Sequence, residues 1–188
     1  MTGNITDRLI DEHRLILRML TVLEKRALRV ADGAAPDAEF FLAAVDFIRN
    51  YADRFHHAKE EDILFAALVA NGMPREHSPV AAMLLEHEEG RAHVRALEAA
   101  ALAVQAGESG RAREIAEHAI AYLELLREHI DKEDHILYPL AERLIPVGQH
   151  EAVLAGYAAA AKRAPAGFEE HYRQLVARYE AAALRPAA

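Results

Sequence analysis

The chain predicts an all-α fold: an up-down-up-down four-helix bundle with a C-terminal helical extension. Three observations carry this. Ala, Leu, Glu and Arg dominate the 188 residues, and all four are strong helix formers. Breakers fall at intervals, at Asp32-Gly33, Asn71-Gly72, Gly107 and Pro146, leaving segments long enough for one bundle helix each. Within each segment apolar residues recur three or four apart, the period of a helix that buries one face.

The first helix is expected after Thr6, with Ile5 stapling its entry, and ends near Asp32-Gly33. Pro36-Asp37 opens the second and Asn71-Gly72 stops it, because Gly adopts the left-handed conformation that closes helices. Ser78-Pro79 joins an N-cap to a Pro at the first helical position and opens the third, which Gly107 closes. The fourth begins near Ser109-Gly110 and runs past Pro139 toward Pro146. Pro139 lacks an N–H, so it is expected to kink this helix or tighten its last stretch. Residues 1–147 then form the bundle and residues 148–188 the extension. The extension reads as an Ala-rich segment from Gln149 to Ala161, a break at Pro165 and Gly167, and a last helix from Phe168 to about Leu184. Its Tyr157, Phe168, Tyr172, Leu175, Val176 and Tyr179 are expected to pack it onto the bundle.

At this length one domain buries a core without staples. The absence of Cys excludes disulfides, thiolate nucleophiles and thiolate zinc sites, and it agrees with a cytoplasmic location. Asp7, Arg8, Asp11 and Glu12 leave no apolar stretch of the signal-peptide kind at the start of the chain. No apolar run reaches the ~18 residues of a membrane span. A net charge of −8 argues against nucleic acid or an anionic membrane as a partner.

The chain repeats a phrase. His56-His57-Ala58-Lys59-Glu60-Glu61-Asp62-Ile63-Leu64-Phe65 superposes, at a shift of 73, on His129-Ile130-Asp131-Lys132-Glu133-Asp134-His135-Ile136-Leu137-Tyr138. A second pair, Glu12-His13 and Glu86-His87, superposes at a shift of 74. Each half thus carries one lone His and one H-x-x-x-E, in all four imidazoles and two carboxylates, a ligand set for two metal ions.

H-x-x-x-E alone is weak, since about one match is expected by chance in a chain this rich in His and Glu. Three occur: His56/Glu60, His57/Glu61 and His129/Glu133. The repeat chooses among them, because His57 maps onto Ile130 and the second frame loses its His in the other half.

The apolar seams place the chosen residues inward. They read Leu9, His13, Ile16, Leu20 in the first helix and Ala52, His56, Glu60, Ile63, Ala67 in the second. The third reads Leu84, His87, Arg91, Val94, and the fourth Leu126, His129, Glu133, Leu137, Leu140, Leu144. Inward imidazoles and carboxylates without partners are costly to bury, whereas six at one level satisfy each other through metal. Residues four apart on a helix are about 5–6 Å apart at Cβ, so a His and a Glu so spaced bind one ion together, and the second carboxylate oxygen is free to bridge to another. Imidazole with carboxylate suits iron, zinc and manganese alike.

At these residues the chain resembles the hemerythrin-like, or HHE cation-binding, domain family. The resemblance covers roughly residues 7–145 and includes Leu137-Tyr138-Pro139. It implies a four-helix bundle holding two iron ions, oxo- or hydroxo-bridged, with His13, His56, His87 and His129 as terminal ligands and Glu60 and Glu133 as bridges. The oxygen carriers of the family have a fifth His on the third helix, four residues from the first. Here Met83 and Arg91 occupy the places four before and four after His87, and Glu133 stands where the carriers end on an Asp. The chain therefore looks like the four-His, two-Glu branch.

The implied functions are binding or sensing of a small diatomic or peroxide ligand (O2, NO or a reactive oxygen species) or iron handling. The alternatives are an enzyme acting on peroxide or NO or donating iron for repair, and a structural bundle holding zinc or no metal. His93 is a candidate additional ligand. It lies six residues after His87, about 120° around the helix, so it reaches the site only if the helix is distorted, and otherwise makes an interhelical hydrogen bond. Arg91 is expected to pair with Glu12, Glu61 or Glu86 or to extend to solvent. Gly90 permits close packing, and Glu61 and Asp134 are expected to orient ligand imidazoles. Lys59 and Lys132 are read as solvated partners of acids, and His57, His77, His118, His135, His150 and His171 as surface residues.

Overall fold

The computed structural model describes residues 4–183, and among these there are six helices and no strand. Leu184, the expected last helical residue, lies outside the described residues. Helix α1 spans Asp7–Ala31, α2 spans residues 38–70, α3 spans Pro79–Gln105 and α4 spans residues 112–144. Helices α5 (Val147–Ala161) and α6 (Phe168–Ala183) follow. The first four close a bundle in which α1 and α3 each pack against α2 and α4.

Local chemistry explains the boundaries. The Asp37 side chain accepts a hydrogen bond from the Phe40 N–H at the start of α2, and Ser78 Oγ accepts from the Ala81 N–H at the start of α3, each satisfying a free helix N–H. Gly72 ends α2 at φ 98°, a conformation costly for any residue with a Cβ. Thr6 does not cap α1. Its N–H and its hydroxyl both donate to Glu142 Oε1 at 2.9 Å, tying the start of α1 to the end of α4.

Helices α2 and α4 are not regular throughout. Hydrogen bonds of the wider i→i+5 kind run through Ile48–His57 and Glu60–Leu64 in α2, and through Glu133–Leu137 in α4. The last two segments superpose at the same shift of 73, so the duplication extends to the backbone. Pro139 does not cause the wide turn, because Ala66 holds the matching place in the first half. The turn before Pro139 is thus wider, where a tighter one was expected, and α4 continues to Leu144.

A wide turn holds one extra residue and shifts the inward face by one position. The expected seam residues Ile63, Ala67, Leu140 and Leu144 are accordingly only part-buried or exposed. Leu64, Phe65 and Leu68 in α2, Tyr138 and Ala141 in α4 and Ile145 just past it fill the core instead, together with Leu137, which keeps its expected place.

The apolar interior falls into two clusters. One contains Leu20, Phe47, Leu97 and Leu126; the other contains Leu9, Leu68, Val80 and Leu137. A polar layer of Glu12, His13, His56, Lys59, Glu60, His87, His129 and Glu133 lies between them, every member buried. The extension adds to both clusters. Tyr172, Val176 and Tyr179 of α6 join the first, and Val153 and Tyr157 of α5 join the second. Gly156 of α5 lets that helix close on Ile63, since a Cβ there would meet Ile63 Cγ2 at 3.1 Å.

Candidate metal centre

The bundle brings His13, His56, Glu60, His87, His129 and Glu133 together, one His from each helix and one Glu each from α2 and α4. All six are 0–2% exposed. Glu133 lies between the two halves: its Oε2 is 3.3 Å from His13 Nε2 and its Oε1 is 3.2 Å from His129 Nε2. Glu60 lies opposite, with Oε2 3.7 Å from both His56 Nε2 and His87 Nε2. His87 Nε2 and His129 Nε2 are 3.1 Å apart. Two nitrogens at right angles on one ion, each bound at about 2.1 Å, lie about 3 Å apart.

Each ring is oriented from behind by a carboxylate. His13 Nδ1 is 2.8 Å from Asp134, His56 Nδ1 is 2.9 Å from Glu12, His87 Nδ1 is 2.7 Å from Glu61 and His129 Nδ1 is 2.9 Å from Glu86. A carboxylate only accepts, so each Nδ1 carries a proton and each Nε2 turns inward. These four acids also obey the duplication, Glu12 with Glu86 and Glu61 with Asp134. Two cations complete it: Lys59 Nζ donates to both oxygens of Glu12, and Lys132 Nζ donates to Glu86.

The electrostatics match a site built for cations. Burial pushes the Glu60 carboxyl well above its usual range, and the nearby Glu133 charge pushes it further. Burial acts the same way on Glu133, but the imidazoles of His129 and His13 outweigh it and hold that carboxyl well below. Burial disfavours a charged His129, yet Glu133 and Glu86 raise it to about 9. His56, buried beside His13, is pushed well below the ordinary imidazole range. Four inward atoms, His56 Nε2, Glu60 Oε2 and both Glu133 oxygens, have no hydrogen-bond partner. Buried polar atoms are rarely left so, and cations would satisfy all four. The donor chemistry therefore fits a binuclear metal site, and two buried groups answer to it: His13, His56, Glu60 and Glu133, and Glu60, His87 and His129 with His57.

His57 is the main correction. The sequence places it at the surface, whereas it is only 6% exposed. The wide turns of α2 carry both His56 and His57 inward. Its ring lies flat on His87, centroids 3.8 Å apart and planes 8° apart. Parallel stacked rings direct their in-plane lone pairs side by side, and His57 covers the face of His87. The sequence held the signal: the counterpart of His57 is the buried Ile130, so the place itself faces inward.

Other readings divide. His93 joins neither group. Six residues along a regular helix from His87, it faces α4, and its Nδ1 is 3.2 Å from His118 Nδ1, which makes His118 part-buried as well. Arg91 reaches Glu61 at 2.8 Å as expected, and also Asp53 and Glu88. Lys59 is not solvated; it is fully buried and its Nζ lies 3.4 Å from the centroid of the Phe55 ring. Lys132 keeps partial exposure. Gly90 does permit close packing, against Tyr122. Tyr138 was missed as a site residue. Its hydroxyl donates to Glu60 Oε1 and lies 3.3 Å from His13 Nε2.

A cavity of about 240 Å³ between α2, α3 and α4 reaches His57, His87 and His129 from the surface. No helix among the described residues is long and apolar enough to cross a membrane.

Compared with known families, residues 4–141 match the profile of the hemerythrin HHE cation binding domain. No curated protein and no solved structure matches the chain.

Proposed function

This chain belongs to the hemerythrin HHE cation-binding family, and from that premise we propose that it is a non-haem di-iron protein that binds or senses O2, NO or a reactive oxygen species. His13 and His56 serve one ion, His87 and His129 the other, and Glu60 and Glu133 lie between them. The observation that carries this reading is the set of four Nε2 atoms turned inward by Asp134, Glu12, Glu61 and Glu86, around carboxylate oxygens without partners.

Iron bound here supplies reversible coordination and one-electron chemistry for small oxygen and nitrogen species. The chain's own residues do the rest. The outer carboxylates lock ring orientation and raise imidazole basicity. The two apolar clusters keep water from the ends of the polar layer. Glu12 with Lys59 and Glu86 with Lys132 balance charge behind the rings.

Turnover of peroxide or NO at the same centre is a second reading, favoured by the cavity that opens to His57, His87 and His129. Metal analysis and visible spectra, recorded with and without O2, test both. Close to two irons per chain and a spectrum that responds to O2 are expected. Folded protein that refuses iron overturns both readings. Steady-state assays with peroxide and NO then separate sensing from turnover.

A further inference from the structure

We propose that the cavity beside His57, His87 and His129 is a binding site for a small amphipathic carboxylate. It goes beyond the metal reading, because neither its floor nor its mouth depends on a bound ion. The floor is formed by the apolar Ile48, Val94 and Leu126 with the ring of Tyr122, whose buried hydroxyl has no hydrogen-bond partner, and its inner end is the imidazole cluster. Gly90 keeps the wall open: a Cβ there would already touch Tyr122 Cε2 at 3.4 Å, and a longer side chain would enter the cavity.

The charge at the mouth identifies the class of ligand. In a protein of net charge −8, Arg49, Arg54, Arg91 and Arg95 line this one cavity against Asp53 and Glu86. Arg49 is held by both oxygens of Glu98, and Arg91 by Asp53, Glu61 and Glu88. Arg54 bonds only the neutral Asn50, and Arg95 has no acid partner among the described residues; both are exposed. Two cations at the rim of an apolar slot match a carboxylate on an apolar body.

Size narrows the class. An apolar cavity of about 150 Å³ takes a benzene ring, so about 240 Å³ admits a body somewhat larger, of the size of hexanoate. A molecule so placed lies with its carboxylate at Arg54 and Arg95 and its far end against His57. It therefore stands between solvent and the polar layer on the cavity's side.

Calorimetric titration of the protein as purified with sodium hexanoate tests this, with hexan-1-ol and acetate as comparison ligands. One saturable site per chain is expected, with binding at least tenfold weaker for the alcohol and for acetate, and weakened by salt. Arg54→Ala with Arg95→Ala, both at exposed positions, should cost at least tenfold for hexanoate and leave hexan-1-ol unchanged. Gly90→Leu should abolish binding of both, and Val94→Phe provides a second blocked cavity if the first variant does not fold. Absence of saturable hexanoate binding overturns the proposal. So does equal affinity for the alcohol, or hexanoate binding unchanged in a folded blocked variant. Iron content is measured separately, so failure here leaves the metal reading standing.

Discussion

Tyr138 donates its hydroxyl to Glu60 Oε1, and its counterpart in the first half of the chain, Phe65, has no hydroxyl to give Glu133. Both oxygens of Glu133 lack partners while Glu60 lacks one only at Oε2. The two carboxylates between the imidazole pairs are therefore inequivalent, although the duplication gives each a His four residues before it on its own helix.

Tyr138→Phe removes the one hydrogen bond to Glu60 Oε1 and leaves a buried acceptor alone. Metal-free protein should lose about 1–3 kcal/mol, read as a lower urea midpoint at unchanged slope. An unchanged midpoint would mean that the bond contributes nothing net.

The matched acids Glu12 and Glu86 differ in burial, and so should their mutants. Glu12→Gln leaves Lys59, which is fully buried, without its counter-charge, and breaking a buried pair this way costs about 3–5 kcal/mol. Glu86→Gln leaves Lys132, whose side chain is 37% exposed, and should cost no more than about 1–2 kcal/mol. Urea denaturation of both variants checks the order; equal losses would refute the burial argument.

Four substitutions separate the proposed metal residues from their neighbours. Glu60→Ala or Glu133→Ala should reduce bound metal from two ions toward one or none. His93→Ala should leave metal content unchanged, because its ring meets His118 on another face. His57→Ala should keep both ions but destabilise the protein by about 1–3 kcal/mol through the lost stack and the enlarged cavity. Metal analysis with thermal melting reads all four; loss of an ion from His57→Ala would make His57 a ligand.

Acidity should act oppositely on the two forms. In metal-free protein His129 is raised from 6.5 to about 9, so its protonated pairing stabilises fully below about pH 6.5 and is lost as pH rises through about 9. Metal binding must expel that proton, so affinity should rise over the same window. Melting temperatures from pH 6 to 9.5 should fall for metal-free protein while the added stability from metal grows. Parallel curves would mean that His129 binds no metal.

Much of this was legible beforehand because a repeat reads itself twice. The bundle, its caps at Asp37 and Ser78, and the meeting of His13, His56, Glu60, His87, His129 and Glu133 follow from 3.6-residue periodicity and the shift of 73. The periodicity also misled at two places. It put Ile63 and Leu140 on the inward face, since nothing in local propensity announces an i→i+5 turn. The matching wide turns that end at Leu64 and Leu137 turn Phe65 and Tyr138 toward the polar layer.

By itself the sequence determined the four bundle helices, the inward level of the four imidazoles and the pairing of the two halves, because these depend on spacing along single helices. Tertiary structure alone decided which acid stands behind which ring, that Lys59 is buried and Lys132 is not, and that His57 lies over His87. Those outcomes depend on how four helices close around one layer, where the distance between helices, and no longer the spacing within one, sets which charges meet.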